Sequence, residues 1–542
     1  MQNIPDWLNN AIFYEIYPQS FFDSNGDGIG DLRGIISKLD YIAGLGVNAI
    51  WVNPCFDSPF QDAGYDISDF YKVAPRYGSN QDLVNLFDQA HTRGIKVILD
   101  LVAGHTSIEH PWFKKSSQST PNQFSNYYIW SQHWLDEGKG YRFINGLAER
   151  NANFMINFFY CQPALNYGFC PPDPQYPWQL PCDHPDVKVV REELRSIMKF
   201  WLDHGADGFR VDMASSLIRG ENAAEGIHEL WQDYRTWLDQ NYPDAVLVSE
   251  WLHPAKSIAA GFHVDFLLHC KLPGYTSLFR NEAYRVPNSP FAGGYSYFDS
   301  SGQGDVTLFV DELREQLQAT ENMGYIAMPS GNHDLGRISQ GRTQQELKVV
   351  HTFLLTLPGI PFIYYGDEIG MEYLEGLSSK EGGYNRTGSR TPMQWDRSVN
   401  AGFSTAPSKK LYLPLNSNHT CQCVAEQEND SDSLLHLVRR LIALRKAHPA
   451  LATKGDFIIL FAEKNRYPLV YERRQGEQRF VIAINPSNNP AFAEFGCANA
   501  QHAVAVENTG CQMDVVLGQV RLSMPPISCV IYSIVVSGAK IS

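Results

Sequence analysis

The sequence lacks any long hydrophobic run and any paired cysteine motif. No segment approaches the roughly 18 consecutive apolar residues of a membrane-spanning helix, and the N-terminal residues lack the basic and apolar regions of a secretory signal. The 10 cysteines are irregularly spaced, without two CxxC units, so a zinc site is not expected. We therefore predict a cytoplasmic protein with free thiols and no membrane association.

Positive charge is also scarce. The chain carries 44 Lys and Arg residues against 59 Asp and Glu residues, a formal net charge of −15. This surplus of negative charge repels phosphate backbones and acidic lipids, so nucleic acid and membrane surfaces are not expected as partners. The charge suits a neutral or cationic small molecule, and it also serves solubility alone.

Short apolar runs are the main organising feature of the sequence. The 542 residues exceed one compact core, which predicts several domains. Helix-like stretches separate the runs, a pattern typical of parallel strands that are buried on both faces. We therefore expect a (β/α)₈ TIM barrel, with active residues at the carboxyl ends of its strands. The eight runs are 11–18, 48–54, 96–102, 208–214, 245–251, 264–269, 325–330 and 361–367.

Two segments break this rhythm. Residues 105–185 are rich in Tyr, Asn, Pro and Gln without a clear period, which predicts an inserted B domain after the third strand. Residues 456–542 consist of short alternating runs joined by turn residues, which predicts a C-terminal antiparallel β-sandwich. The barrel is then expected in two parts, 1–104 and 186–455.

Acidic residues lie where three of the predicted strands end. Asp212 is near the end of the fourth run, Glu250 ends the fifth, and Asp334 follows the seventh. Arg210 lies two residues before Asp212, hence on the same face of the strand, where it is expected to keep Asp212 ionised. One such acid is usually structural, but three on one rim would separate acid from nucleophile by shifting each other's pKa values. Together with His105 and His333, they favour catalysis.

Four motifs occur in a characteristic order: DLVAGH (100–105), GFRVD (208–212), SEW (249–251) and NHD (332–334). With them, the chain from about Trp7 onward resembles the α-amylase superfamily, glycoside hydrolase family 13. The resemblance implies a retaining mechanism, with Asp212 as nucleophile and Glu250 as general acid/base. Retention implies a separation of roughly 5–5.5 Å between these two groups. Asp334 would hold the ring hydroxyls of the sugar.

The resemblance also implies roles for neighbouring side chains. His105 and His333 would donate hydrogen bonds to hydroxyls of the same sugar, and Arg210 would orient Asp212. Tyr65 would stack on that sugar, and the alternative is a core aromatic residue. In the exo-acting branch, an Asp–Arg ion pair closes the pocket around a terminal glucose. Asp62 and Arg390 are predicted to form this pair, or else a weak surface salt bridge.

The sequence departs from the family pattern at three positions. Gly104 stands where the first motif usually has Asn, so a side-chain amide is missing and its partners need another group. QPALN (162–166) resembles the QPDLN signature of the oligo-1,6-glucosidase and α-glucosidase branch, with Ala164 in place of the acid. Met213 follows the nucleophile, where the family uses other residues to set linkage preference. The preferred linkage is therefore left open.

Residues 23–31, DSNGDGIGD, contain alternating oxygen donors. This spacing and the resemblance predict a structural Ca²⁺ site. A polar turn rich in Asp and Gly is the alternative. The expected ligands are Asp23, Asn25, Asp27, the Ile29 carbonyl and Asp31.

Three functional hypotheses remain. The leading one is a retaining exo-α-glucosidase that acts on short oligosaccharides, with some transglycosylation, as a monomer or homodimer. The second is an α-glucosyl transferase or isomerase resembling trehalose synthase. The third, a non-catalytic transporter heavy chain of the same superfamily, predicts a membrane span and lost carboxylates, neither of which the sequence shows.

Overall fold

Eight parallel strands close into a barrel at the centre of the computed structural model, which describes residues 3–132, 140–267, 272–280, 295–382, 386–415 and 422–536. Each strand lies within one of the eight apolar runs to within one residue, so the predicted TIM barrel is confirmed. Their short lengths and full burial are typical of parallel strands covered on both sides. In chain order they are Phe13–Ile16, Ala49–Val52, Lys96–Val102, Gly208–Asp212, Val246–Ser249, Val264–Phe266, Tyr325–Pro329 and Ile360–Tyr364.

The register of the barrel aligns its polar residues. The third and fourth strands pair Asp100 with Arg210 and Val102 with Asp212. The fifth strand pairs Val248 with Arg210 from the other side. Because all eight strands are parallel, their carboxyl ends form one rim, and the acids of the fourth, fifth and seventh strands lie there.

Helices cover the outside of the barrel with one apolar face. In Pro185–Asp203 the buried positions include Val187, Val190, Leu194 and Met198, spaced three or four residues apart. The other helices with at least six residues are Leu32–Ser37, Leu39–Leu45, Asn80–His91, Pro111–Ser116, Ala223–Asn241, Pro254–Ala259, Pro273–Phe279, Thr307–Thr320, Gln344–Thr356 and Leu434–Ala447. Shorter α-helices are Pro18–Phe21 and Val424–Glu428.

Two small antiparallel sheets lie over the carboxyl rim. A hairpin of Phe56–Asp57 and Asp69–Val73 brackets the loop that carries Asp62 and Tyr65. After the third barrel strand, three short strands form a second sheet: Trp130–Ser131, Phe143–Ile144 and Asn153–Met155. An isolated bridge between His105 and Ala164 joins this inserted segment to the barrel rim, and Ala164 is fully buried.

The C-terminal part consists of two antiparallel sheets that share a core, as predicted. One sheet contains Asp456–Phe461, Leu469–Gln475, Gln478–Asn485, Ser528–Val536 and Ala500–Asn508. The other contains Ala491–Gly496, Gln519–Met524 and Gln512–Val516. Val481, Phe495 and Leu522 belong to one apolar cluster between the two sheets. Among the described helices, none has the length and apolar character needed to cross a membrane.

Candidate active site

The three predicted catalytic acids lie at the carboxyl rim of the barrel. Asp212 is the last residue of the fourth strand, and Glu250 immediately follows the fifth. Asp334 follows the seventh strand by a short loop. Asp212 is nearly buried, whereas the Glu250 and Asp334 side chains keep 22% and 19% of their surface exposed. A small molecule can therefore reach all three carboxylates.

One guanidinium brings two of these acids together. The Nη1 atom of Arg210 donates to Asp212 Oδ1 at 3.0 Å and to Asp100 Oδ1 at 2.8 Å. Its Nη2 atom lies 2.8 Å from Glu250 Oε2. The backbone N–H of Met213, a residue with φ of 45°, also donates to Glu250 Oε2 at 3.0 Å. Arg210 thus fixes the candidate nucleophile and the candidate acid/base side by side.

Burial and the neighbouring charges both affect the pKa of Asp212. Burial and the Glu250 carboxylate raise the pKa of Asp212 well above its usual range, although Arg210 acts in the opposite direction. Arg210 lowers the pKa of Asp212 as a neighbouring guanidinium should, but desolvation is the larger effect, so the ionised state of Asp212 stays a prediction. The guanidinium and the neighbouring carboxylates therefore act on Asp212 in opposite directions.

Asp334 is held by two arginines from one segment. Arg386 Nη1 and Arg390 Nη2 lie 2.6 and 2.8 Å from its Oδ1 atom. Arg386 also forms the buried ion pair with Asp62, and Gln162 donates to the other oxygen of Asp62 at 2.6 Å. The pocket therefore has a charged wall made from three separate segments of the chain.

The predicted pairing of Asp62 with Arg390 is wrong. Arg390 instead contacts Glu381 Oε2 at 3.2 Å and donates to the backbone carbonyl of His333 at 2.7 Å. A 3₁₀ turn, Thr387–Ser389, separates the two arginines. Both contact Asp334 Oδ1, but it is Arg386 that binds Asp62.

Tyr65 and His333 form a stacked pair at the bottom of the pocket. Their ring centroids are 5.4 Å apart with an interplanar angle of 16°, and the Tyr65 hydroxyl lies 2.8 Å from His333 Nε2. Burial and Asp100 raise the pKa of Tyr65, and the charges of Asp212 and Asp334 add to this effect. The tyrosine therefore lies between the acids from the fourth and seventh strands. Its role as a platform for a sugar stays a prediction.

His105 is buried between the barrel and the inserted segment. Its Nε2 atom lies 3.1 Å from the backbone carbonyl of Tyr65, and its Nδ1 atom lies 3.0 Å from Asn157 Nδ2. Burial lowers the pKa of His105 to about 4, so the ring is neutral at neutral pH. The predicted hydrogen bond to a sugar hydroxyl would come from Nε2 and stays a prediction.

The loop of residues 23–31 is held by its own hydrogen bonds. The Asp23 carboxylate accepts from three backbone N–H groups of the loop at 2.7–3.1 Å and from the Ser404 hydroxyl at 2.6 Å. Asp31 accepts from the amide and hydroxyl of Ser24. In the described part of the chain, no three His, Cys, Asp or Glu side chains are grouped to hold a metal ion. The predicted ligands are all oxygen donors, as Ca²⁺ prefers, but they include only three carboxylates, those of Asp23, Asp27 and Asp31.

Several residues of the site were not singled out from the sequence. Asp100 is fully buried, accepts from Trp51 Nε1 at 2.9 Å and binds Arg210, and Glu15 lies 2.8 Å from His333 Nδ1. Both are acids inside apolar strands, the same signal that identified Asp212. Arg386 and Asn157 lie in segments without a periodic pattern, where the sequence offered no comparable signal.

Comparison with known proteins agrees with this geometry. The alpha-amylase catalytic-domain family matches residues 15–454. The trehalose synthase/amylase TreS of Mycolicibacterium smegmatis is 34% identical over 550 residues, 93% of this chain and 88% of that protein. The oligo-1,6-glucosidase of Parageobacillus thermoglucosidasius is 31% identical, covering 90% and 92% of the two chains.

A solved structure shares the whole architecture. The crystal structure of an isomaltulose synthase mutant from Erwinia rhapontici NX5, in complex with its natural substrate sucrose, aligns with a TM-score of 0.78. The identity is 26%, and the alignment covers 98% of this chain and 99% of the other. With a family match over most of the chain and nearly full-length relatives above 30% identity, the resemblance read from the four motifs is confirmed. The chain belongs to the alpha-amylase family, and its relatives include both glucosidases and sugar synthases.

Proposed function

We propose that the protein is a retaining, exo-acting α-glucosidase of short α-glucosides, which forms a β-glucosyl ester on Asp212. The observation that carries this proposal is the Arg210 guanidinium, which contacts both Asp212 and Glu250. In the first step Asp212 attacks the anomeric carbon while Glu250 gives its proton to the leaving oxygen. In the second step Glu250 takes a proton from water, whose oxygen displaces Asp212.

Exo action is supported by the ion pair between Asp62 and Arg386. Both side chains are only 5% exposed, and Gln162 completes the hydrogen bonding of Asp62. A buried pair that is satisfied in this way is costly to open, about 3–5 kcal/mol if one partner is removed. A glucan chain that continued past this wall would have to break it. A terminal glucose, whose hydroxyls can bond to the charged groups, would not.

Transfer to a sugar acceptor is the second candidate. It is supported by the names of two relatives, a trehalose synthase/amylase and an isomaltulose synthase. Both outcomes share the glucosyl-enzyme and differ only in the acceptor of the second step. Of the side chains that follow Glu250, Trp251 is nearly buried and His253 is half-buried. We infer that these bulky groups limit the access of water to the second step.

Product analysis separates the two reactions. The purified protein is incubated with maltose, isomaltose, sucrose, trehalose and kojibiose in parallel, and products are followed by chromatography. The proposed glucosidase releases glucose as the main product from at least one of them. New disaccharides in excess of glucose would favour the transferase. The absence of release and transfer from every α-glucoside would overturn both proposals.

We also propose that Ca²⁺ binds the loop of residues 23–31. A ligand present at 100 times its Kd stabilises the folded protein by about 2.7 kcal/mol, so EDTA should lower Tm by a few degrees and CaCl₂ should restore it. In Asp27→Asn the side-chain oxygen can still accept from the Ile29 N–H, but the negative charge is lost. The difference in Tm between EDTA and CaCl₂ should therefore disappear. Asp69→Asn is the matched control, because the Asp69 carboxylate also accepts from the N–H two residues further on, but Asp69 begins a strand outside the loop. An identical Tm in EDTA and CaCl₂ would leave the polar turn as the correct interpretation.

A further inference from the structure

The space beside Gly104 is filled by a side chain from the inserted segment. A Cβ atom built on Gly104 would lie 2.6 Å from Asn157 Nδ2 and 3.5 Å from Leu217. Nothing in the backbone of Gly104 calls for glycine, since its φ lies outside the left-handed region. The constraint is steric. The amide of Asn157 occupies the place that a side chain at position 104 would take.

The orientation of the Asn157 amide is fixed by a guanidinium. Its Oδ1 atom accepts from Arg219 Nη2 at 3.2 Å, and an arginine can only donate. The Nδ2 atom is therefore the one that faces His105 Nδ1, at 3.0 Å, and it lies 3.8 Å from Met213 Sδ. The backbone of Asn157 is anchored as well, because its N–H donates to the Gln162 carbonyl at 3.0 Å.

This orientation decides which nitrogen of His105 carries the proton. Because Asn157 Nδ2 donates, His105 Nδ1 must accept, and the ring proton lies on Nε2. The Nε2–H group points to the Tyr65 carbonyl at 3.1 Å, at the edge of the pocket. Only this tautomer carries a proton on Nε2, and a sugar hydroxyl would share that proton with the Tyr65 carbonyl or take its place. The same principle holds at metal sites, where a hydrogen bond to one ring nitrogen of a histidine fixes the tautomer and the orientation of the other nitrogen.

We propose that Asn157 is a positioning residue, which replaces the missing amide at position 104 and holds His105 as the hydroxyl-donating tautomer. The proposal deepens the glucosidase function above and rests on it. Asn157 does not act on the substrate directly. It acts through the histidine, and its side chain also lies against Met213, the residue after the nucleophile.

A reciprocal exchange tests the proposal. Asn157→Ala removes the donor and should lower kcat/KM on p-nitrophenyl α-glucoside by about 10–100-fold, the range expected for a lost hydrogen bond of this kind. Gly104→Asn alone should also lower activity, because the new side chain collides with Asn157. The double variant should recover most of the activity, since an amide then enters the same space from the barrel side. Exposed Asn151, changed to Ala, is the matched control within the inserted segment.

A set of substrates that each lack one hydroxyl separates positioning from plain stability. If Asn157 acts through His105, the loss in Asn157→Ala should largely disappear with the glucoside that lacks the hydroxyl held by His105. An equal loss with every deoxy-glucoside would overturn the proposal. If Asn157→Ala does not fold, the double variant decides: recovered folding and activity support the exchange, and failure of either contradicts it. A wild-type protein without turnover of the parent glucoside would instead refute the proposed function.

Discussion

Replacement of Asp212 by asparagine is expected to lower kcat/KM on p-nitrophenyl α-glucoside by at least about 10³-fold, the scale seen when a covalent nucleophile is removed. The amide keeps the shape of the side chain but cannot form the glucosyl ester. Arg210 would remain bound to Asp100 and Glu250, so the site should stay assembled. Steady-state kinetics together with Tm would separate lost chemistry from lost folding.

Asp207 supplies a matched control for this experiment. It precedes the same barrel strand but lies at the opposite end, where it bonds to Lys96 Nζ at 2.8 Å and His91 Nε2 at 2.7 Å. Asp207→Asn should change stability and leave kcat/KM nearly intact, because the amino end of a barrel strand contributes to folding rather than to chemistry. Equal activity in Asp212→Asn and the wild type would show that the nucleophile is another group.

Replacement of Glu250 by glutamine is expected to lower the rate of hydrolysis by about 10²–10⁴-fold, the usual contribution of general acid–base catalysis. The loss in the first step should depend on the substrate. A leaving group that departs as a stable anion, such as fluoride or dinitrophenolate, needs no proton and should be released almost normally. The glucosyl-enzyme should then accumulate, since water is no longer activated. A burst of leaving group followed by slow turnover is the measurement.

Added azide distinguishes the roles of the two acids by stereochemistry. In Glu250→Ala, azide should attack the glucosyl-enzyme and give the α-glucosyl azide, because two inversions have occurred. In Asp212→Ala, azide should replace the nucleophile on α-glucosyl fluoride and give the β-anomer after one inversion. The opposite assignment of anomers would exchange the roles of Asp212 and Glu250.

Glu250→Gln should also shift the pH profile of the burst rate. Asp212 is active when ionised, so activity is present above its pKa and is lost as the pH falls through it. The Glu250 carboxylate raises that pKa. Removing its charge should therefore lower the pKa of Asp212 and move the acid limb of the burst rate to lower pH. An acid limb at the same or a higher pH than in the wild type would show that the two carboxylates do not interact.

The sequence predicted the scaffold of this site better than its contacts. All eight barrel strands follow from apolar runs, because a strand buried on both faces leaves a continuous hydrophobic signal. The positions of Asp212, Glu250 and Asp334 on one rim follow from the same pattern. Asp100 carries an equally clear signal, an acid inside the run KVILDLV, yet its bond to Arg210 depends on the pairing of two strands 110 residues apart.

Partner choice among neighbouring residues could not be predicted. Arg386 and Arg390 are four residues apart with a 3₁₀ turn between them, and nothing in the sequence indicates which one meets Asp62. Asn157 lies in the inserted segment, where no helical or strand period marks a functional position. Its fit against Gly104 involves two residues that are distant in sequence, and the reason for the glycine appears only when the two are seen in contact.

Met213 makes two independent contacts, one through its main chain and one through its side chain. Glu250 is held there by a main-chain N–H, whereas the side chain points toward Asn157. We therefore expect exchange of this methionine to alter the contact with Asn157 and to leave the main-chain hydrogen bond to Glu250 in place. The side chain at position 213 can thus vary without loss of the contact that holds Glu250 beside Arg210.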